Sequence, residues 1–170
     1  MPRERRLDSL FSWMSIRENF AMPTLASDSH GGLLRQSATR RRFADYAARL
    51  SIVFRDQDDR ITTLSGGNQQ KVVIARWLAA GPRVLLLNDP TRGIDIGAKR
   101  DLYLLLSDLA RQGLAVVMLS TEVEEHVELM DRVLVFREHE LFREIGRTSL
   151  SRQALVSAFF GAGEGDNGAR

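Results

Sequence analysis

Two kinds of apolar spacing alternate along this chain. One is the three-to-four-residue stripe of an amphipathic helix, the other a short unbroken run of the kind that fills a strand. From Ser65 the pattern predicts a helix to about Ala80, stopped by Gly81 and Pro82. Val73, Trp77 and Ala80 fall on one stripe of it, with Ile74 and Leu78 beside them, so that side should face the core. Val84-Leu85-Leu86-Leu87 then reads as a strand buried on both faces. A helix from about Gly97 to Gln112, closed by Gly113, precedes a second buried strand, Leu114 to Leu119. A short acidic helix from about Glu122 to Met130 follows, then a hairpin of Val133–Phe136 and Leu141–Ile145 around Glu138-His139-Glu140, then a helix from about Ser151 to Phe160. Strands alternating with helices indicate an α/β fold with a largely parallel sheet.

The first half is more irregular. A short helix is expected over Ile16 to Ala21, ended by Pro23, and a loop over Ala26 to Leu34 punctuated by Gly31-Gly32. Ser37 is placed to cap a helix from about Ala38 to Leu50, with Phe43, Ala47 and Leu50 on one face. Arg40, Arg41 and Arg42 open that helix and oppose its dipole, which the sequence does not explain. They read as a solvated basic face, with acidic lipid or nucleic acid as the sharper alternative. Asp56 to Thr63 reads as a polar linker, and the Gly-rich tail GAGEGDNGAR (161–170) as disordered.

Composition narrows the classes. A length of 170 residues supports one domain with a sizeable core. The net charge of +2 is too small to argue for nucleic acid. The absence of cysteine excludes disulfides and thiolate metal sites. No apolar run approaches the ~20 residues needed to cross a bilayer, so a membrane connection is expected to run through a partner. His30, His126 and His139 have no chemical partner in sequence and read as surface residues.

The chemistry gathers at Leu64-Ser65-Gly66-Gly67-Asn68-Gln69-Gln70-Lys71. A helix start preceded by glycines presents unpaired N–H groups and a partial positive charge, which suits an anion. A bare Ser-Gly-Gly is more often an ordinary helix start. No G-x-x-x-x-G-K-[ST] phosphate loop occurs in these 170 residues.

These eight residues, and the helix, strand and loop after them, closely resemble the signature region of ATP-binding-cassette (ABC) ATPases, in the form of the sugar-importer branch. Met1-Pro2-Arg3-Glu4-Arg5-Arg6-Leu7-Asp8-Ser9-Leu10-Phe11 and Met14-Ser15-Ile16-Arg17-Glu18-Asn19 are similar to the segment that in this family leads from the nucleotide site into the helical subdomain. Arg3 stands where the family usually has an acidic residue, and Ser9 where it has glycine. The resemblance covers about Pro2 to Phe160. It implies an incomplete P-loop NTPase core, lacking Walker A, with a mostly parallel sheet and a helical signature subdomain over about 10–80. The remaining core would span 81–160, and the closest likeness is to the second domain of two-domain ribose, xylose and galactose importers.

In this family each signature covers the γ-phosphate of ATP seated on a partner domain. Carried over, Ser65, Gly66, Gly67, Asn68 and Gln69 would bind ATP in trans. Val84-Leu85-Leu86-Leu87-Asn88-Asp89-Pro90 resembles Walker B. Asn88 then stands at the Mg²⁺ position without the charge a hard cation prefers. Asp89 stands at the catalytic glutamate, shorter by roughly 1.5 Å, a misplacement able to cost about 10²-fold in rate. Alternatively the motif has slipped and Asp89 supports Mg²⁺. Asp95 would sit at the dimer seam, or simply cap the helix that follows. Thr121 occupies the switch position, where a hydroxyl is a poor acid or base.

The resemblance further implies ATP and Mg²⁺ as cofactors, and a second ABC ATPase domain or the missing N-terminal half as partner. Membrane permease subunits and, indirectly, a solute-binding protein would complete the assembly, with the chain cytoplasmic on the inner membrane face. The expected function is a truncated importer ATPase for a monosaccharide or similar solute; a scaffold subunit without turnover is the alternative. A DNA-associated ABC head is a third reading, opposed by the lack of long heptad arms, and no nucleic-acid partner is expected.

Overall fold

The computed structural model describes residues 9–30 and 33–160. The basic opening (residues 1–6), Gly31-Gly32 and the tail 161–170 lie outside them. The chain divides into two compact units between Leu119 and Ser120.

The first unit opens with α1 (Ile16–Ala21), the helix the sequence predicts. Ser15 and Glu18 form a capping box: Glu18 N donates to Ser15 Oγ at 3.2 Å and Ser15 N to Glu18 Oε2 at 2.8 Å. Pro23 falls in a 3-10 turn, Met22–Thr24, followed by α2 (Leu25–Asp28). Where a loop was expected, β1 (Ser29–His30) and β2 (Leu33–Leu34) pair antiparallel. The next helix, α3 (Gln36–Arg49), starts at Arg35 without a side-chain cap, so Ser37 does not serve as one. Phe20, Phe43 and Phe54 form the helical core, with ring centroids 5.3 Å apart in each successive pair.

The expected basic face is only partly solvated. Arg42 donates to both carboxylate oxygens of Asp28, and at 2.6 Å to Thr24 Oγ1, while Arg40 pairs with Asp58. Among the described residues Arg41 carries a long bond to Ser37 O and no ion pair. An acidic partner inside the fold thus accounts for arginines placed against the helix dipole. The Asp56–Thr63 stretch is likewise anchored rather than a free linker. Ile16 N donates to Asp59 O, Arg17 N to Gln57 O and Ile61 N to Met14 O, and Ile61–Thr63 is a 3-10 turn.

The hydrogen bonds from Arg42 hold the Asp28 carboxyl below its ordinary value of 3.8. A carboxylate whose folded pKa is depressed stabilises the fold above its unfolded pKa, and that stability is lost as pH falls through the folded value. Urea melts from about pH 6 down to about pH 3 should show falling stability below roughly pH 4. Asp28→Asn should be weaker at pH 6, with a flatter acid limb.

The signature helix α4 (Gly66–Leu78) buries Val72, Val73, Ile74 and Ala75 completely. Trp77, expected in the core, is 40% exposed, because the buried side turns through Val72 and Arg76 instead. After Gly81 the chain enters β3 (Val84–Asn88), crosses through α5 (Ile96–Arg111) and returns as β4 (Ala115–Leu119), parallel to β3 from Val84↔Ala115 to Asn88↔Leu119.

This is the parallel pairing the sequence indicates, but among the described residues it is a single two-stranded ladder, and the other two pairings are antiparallel. Nor are the strands buried on both faces. Leu85, Leu87 and Met118 are buried, whereas Val84, Leu86, Val117 and Leu119 are 50–66% exposed. A two-stranded ladder with a helix on one side leaves the other side bare.

In the second unit α6 (Val123–Leu129) precedes an antiparallel hairpin, β5 (Arg132–Arg137) and β6 (Glu140–Gly146), then α7 (Arg152–Phe160). Val133, Val135, Ile145, Leu155 and Ala158 form its core. Glu138 and His139 make the turn, both with positive φ.

Candidate functional site

Ser65 caps α4, and its hydroxyl is surrounded from one side. Asn68 N approaches Ser65 Oγ at 3.4 Å and Asn68 Nδ2 at 3.1 Å. Val53 N donates to Asn68 Oδ1 at 2.9 Å, which fixes the way that amide points. A hydroxyl has two acceptor positions and one proton. With both acceptor positions taken, the Ser65 proton is left to donate outward from an exposed residue. The first backbone bond of the helix is Gln69 N to Ser65 O, at 2.9 Å, so the amides of Gly66 and Gly67 precede the intrahelical ladder.

The five signature residues are not equivalent. Ser65, Gly66 and Asn68 remain accessible. Gln69 turns inward and donates to Leu64 O at 3.0 Å and Ile61 O at 3.4 Å. Gly67 is buried against α5: a Cβ there would stand 2.6 Å from Ala98 Cβ. Its missing side chain thus serves the approach of α4 to α5. Ala98 N donates to Asp95 Oδ1 at 2.9 Å, making Asp95 the cap of α5. The Gly67–Ala98 contact therefore packs the first turn of α4 against the first turn of α5, the helix that Asp95 caps.

Asn88 and Asp89 lie at the end of β3. Asp89 N donates to Leu119 O at 2.8 Å, tying the ends of the two strands. Asp89 has φ +43° and is 7% exposed, and Asn88 is half-buried. A neutral amide lacks the charge a hard cation prefers, so Asn88 does not fit a Mg²⁺ ligand of this chain's own. Among the described residues no cluster of three or more His, Cys, Asp or Glu side chains is placed to hold a metal. Thr121 is exposed and belongs to the second unit. Beside it Ser120 Oγ donates to Glu125, a fully buried acid, at 2.5 Å, and accepts from Glu122 N at 3.0 Å. His126 Nδ1 meets Glu122 O at 3.0 Å and His139 is exposed.

Sequence reasoning missed two buried polar residues away from this turn, Asn19 and Arg76 near the far end of α4, which are hydrogen-bonded to each other. The available signal was an arginine on the apolar side of α4.

The ABC transporter family profile matches residues 3–92, which include Ser65–Gln69, Asn88 and Asp89. This chain is a member of the ABC transporter family. It is 43% identical over 161 residues to the ribose import ATP-binding protein RbsA 1 of Streptomyces coelicolor, covering 95% of this chain and 32% of that protein. The ribose import ATP-binding protein RbsA of a Jannaschia species is 41% identical over 163 residues, 96% of this chain and 32% of that one. The chain thus spans about a third of the length of the curated relatives it matches.

Solved ABC structures carry the same fold. A dimeric ATP-binding cassette in a post-hydrolysis state with ADP and Pi superposes with a TM-score of 0.66 at 26% identity, over 81% of this chain and 59% of that one. Another ATP-binding cassette of an ABC transporter gives 0.70 at 18% identity, over 87% and 63%. The α/β arrangement around β3, α5 and β4 is therefore that of an ABC cassette. The family's sugar-import branch is represented among its relatives.

Proposed function

We propose that the chain is a segment of the ATP-binding component of an ABC importer for a monosaccharide or similar polar solute. It contributes its signature turn to a nucleotide held by another polypeptide. ATP and Mg²⁺ arrive with that partner, which is a second ABC ATPase domain or the N-terminal half that carries the phosphate loop. In this reading residues 10–80 are the helical subdomain and 81–160 the remaining core, whose parallel sheet is completed by the partner's strand. Among the described residues no helix is long and apolar enough to cross a membrane. Permease subunits supply the membrane passage in this reading, the chain sits on their cytoplasmic side, and a solute-binding protein acts indirectly.

The supporting observation is the exposed Ser65 hydroxyl at the start of α4, whose oxygen accepts from Asn68 N and Nδ2 and whose proton is thereby left to donate. A terminal phosphate there accepts from Ser65 and from the Gly66 amide, in the field of the α4 N-terminus. Asp95 sits beside the turn and adjusts α5 to it.

The test mixes the chain with the ATP-loaded cassette of the Streptomyces coelicolor relative and measures association with and without ATP. Ser65→Ala should weaken ATP-dependent association by about tenfold or more, the loss of a charge-assisted hydrogen bond. Ser65→Asp keeps an acceptor for Asn68, and hence the cap, but repels phosphate; it should abolish association while leaving thermal stability near wild type. Association indifferent to both changes sinks the proposal. The scaffold reading is favoured by Asn88 and the buried Asp89, and it predicts association with no gain in turnover.

A further inference from the structure

Arg76 is a charge that the signature chemistry leaves unused. It lies seven residues beyond Gln69 on α4, on the same side of the helix, and is 5% exposed. Its guanidinium donates to the carbonyl of Ser9 and, at 3.2 Å, to Asn19 Oδ1; its Nε is buried with no partner, and no carboxylate pairs with it among the described residues. Burial lowers its pKa to about 10, so it stays charged at neutral pH. A buried cation without a counter-ion is costly. What it holds is a loop.

Asn19, itself fully buried, closes that loop. Its Oδ1 accepts from Phe11 N at 2.9 Å as well as from Arg76, and its Nδ2 donates to Phe11 O and Ser15 O, each at 3.0 Å. The loop from Ser9 to Ser15 carries Trp13 at its tip, 72% exposed, with the Phe11 ring edge-on at 5.8 Å. Arg76 thus grips one end of the loop directly and the other through Asn19. From Arg76 to Ser65 there is only continuous α4, about 16 Å of helix.

We infer that Arg76 is a positioning residue that makes the Ser9–Asn19 segment and the Ser65 turn move together. A displacement at Phe11 or Trp13 reaches the start of α4 through the guanidinium. What that motion accomplishes rests on the reading of Ser65 as a phosphate cover; the coupling itself does not.

Amide hydrogen exchange on the chain tests it, with four proteins: wild type, Phe11→Ala, Arg76→Met and the double variant. The reporters are the amides of Ile16 and Gln69, bonded to Asp59 O and Ser65 O, with Val135 of the other unit as control. Phe11→Ala should speed exchange at Gln69 by about tenfold when Arg76 is present and by less than about twofold when it is methionine, with Val135 unmoved throughout. Arg76→Lys keeps the charge but loses the forked donor, and should retain a partial effect. It also serves if Arg76→Met does not fold. Equal effects of Phe11→Ala in both backgrounds, or none at Gln69, would overturn the inference. Intact coupling without cassette association would count against the proposed function alone.

Discussion

Gly67→Val is expected to separate α4 from α5 and to destabilise the first unit by about 1–3 kcal/mol or more. Even a methyl group at this position would lie 2.6 Å from Ala98 Cβ, a separation that forces one of the two helices to shift. Both helix starts would move together, the Ser65 turn on one side and Asp95 on the other. Thermal melts of Gly67→Ala, Ala98→Gly and the pair separate this from a loss of backbone freedom. Ala98→Gly alone should cost up to about 1 kcal/mol, as glycine does in a helix. Combined with Gly67→Ala it should restore most of what that change loses. If the double variant is merely the sum of the singles, the contact is not what position 67 requires.

The second large effect concerns the bare face of β3 and β4. Val84, Leu86, Val117 and Leu119 each leave 50–66% of their surface in water. Covering them is worth on the order of 4 kcal/mol, taking about half of the ~1.5–3 kcal/mol for burying each side chain. On the proposed function, the occupant is the part of the cassette that carries the phosphate loop. Adding the corresponding segment of the Streptomyces coelicolor relative should raise the melting temperature by about 10 °C and suppress binding of a hydrophobic dye. A melting temperature and dye signal untouched by that segment would remove the support for a composite sheet. A sharp, high-temperature melt from the chain alone would argue the same way.

What could be read from the sequence depended on whether a residue's partners were local. The capping of α1 by Ser15 and Glu18 lies within four residues, and the helix falls where the pattern places it. Ser65, Gly81 and Pro82 likewise punctuate α4 by local chemistry. The loop after β3 offered two roles for Asp95, and the cap is directly visible. Non-local contacts were not legible. Nothing in the run Arg40-Arg41-Arg42 reveals that Asp28 and Asp58 wait for two of the three. The Asp56–Thr63 stretch looked free because its bonds go to α1, some forty residues earlier in the chain. Nothing in the run Ser65-Gly66-Gly67 reveals that Gly67 packs against Ala98 of the next helix. Helix periodicity placed Trp77 inward; the buried Arg76 beside it shows that polar contacts, not hydropathy, decide that side of α4.

The backbone at Asp89 carries a consequence for any substitution at that position. Its φ of +43° is a conformation that aspartate tolerates better than longer residues do, because a short polar side chain can bond locally. Installing glutamate would lengthen the side chain and at the same time load the hinge it grows from. Any redesign of this position therefore begins with the main chain at the end of the strand, and one that swaps only functional groups starts from the wrong atom.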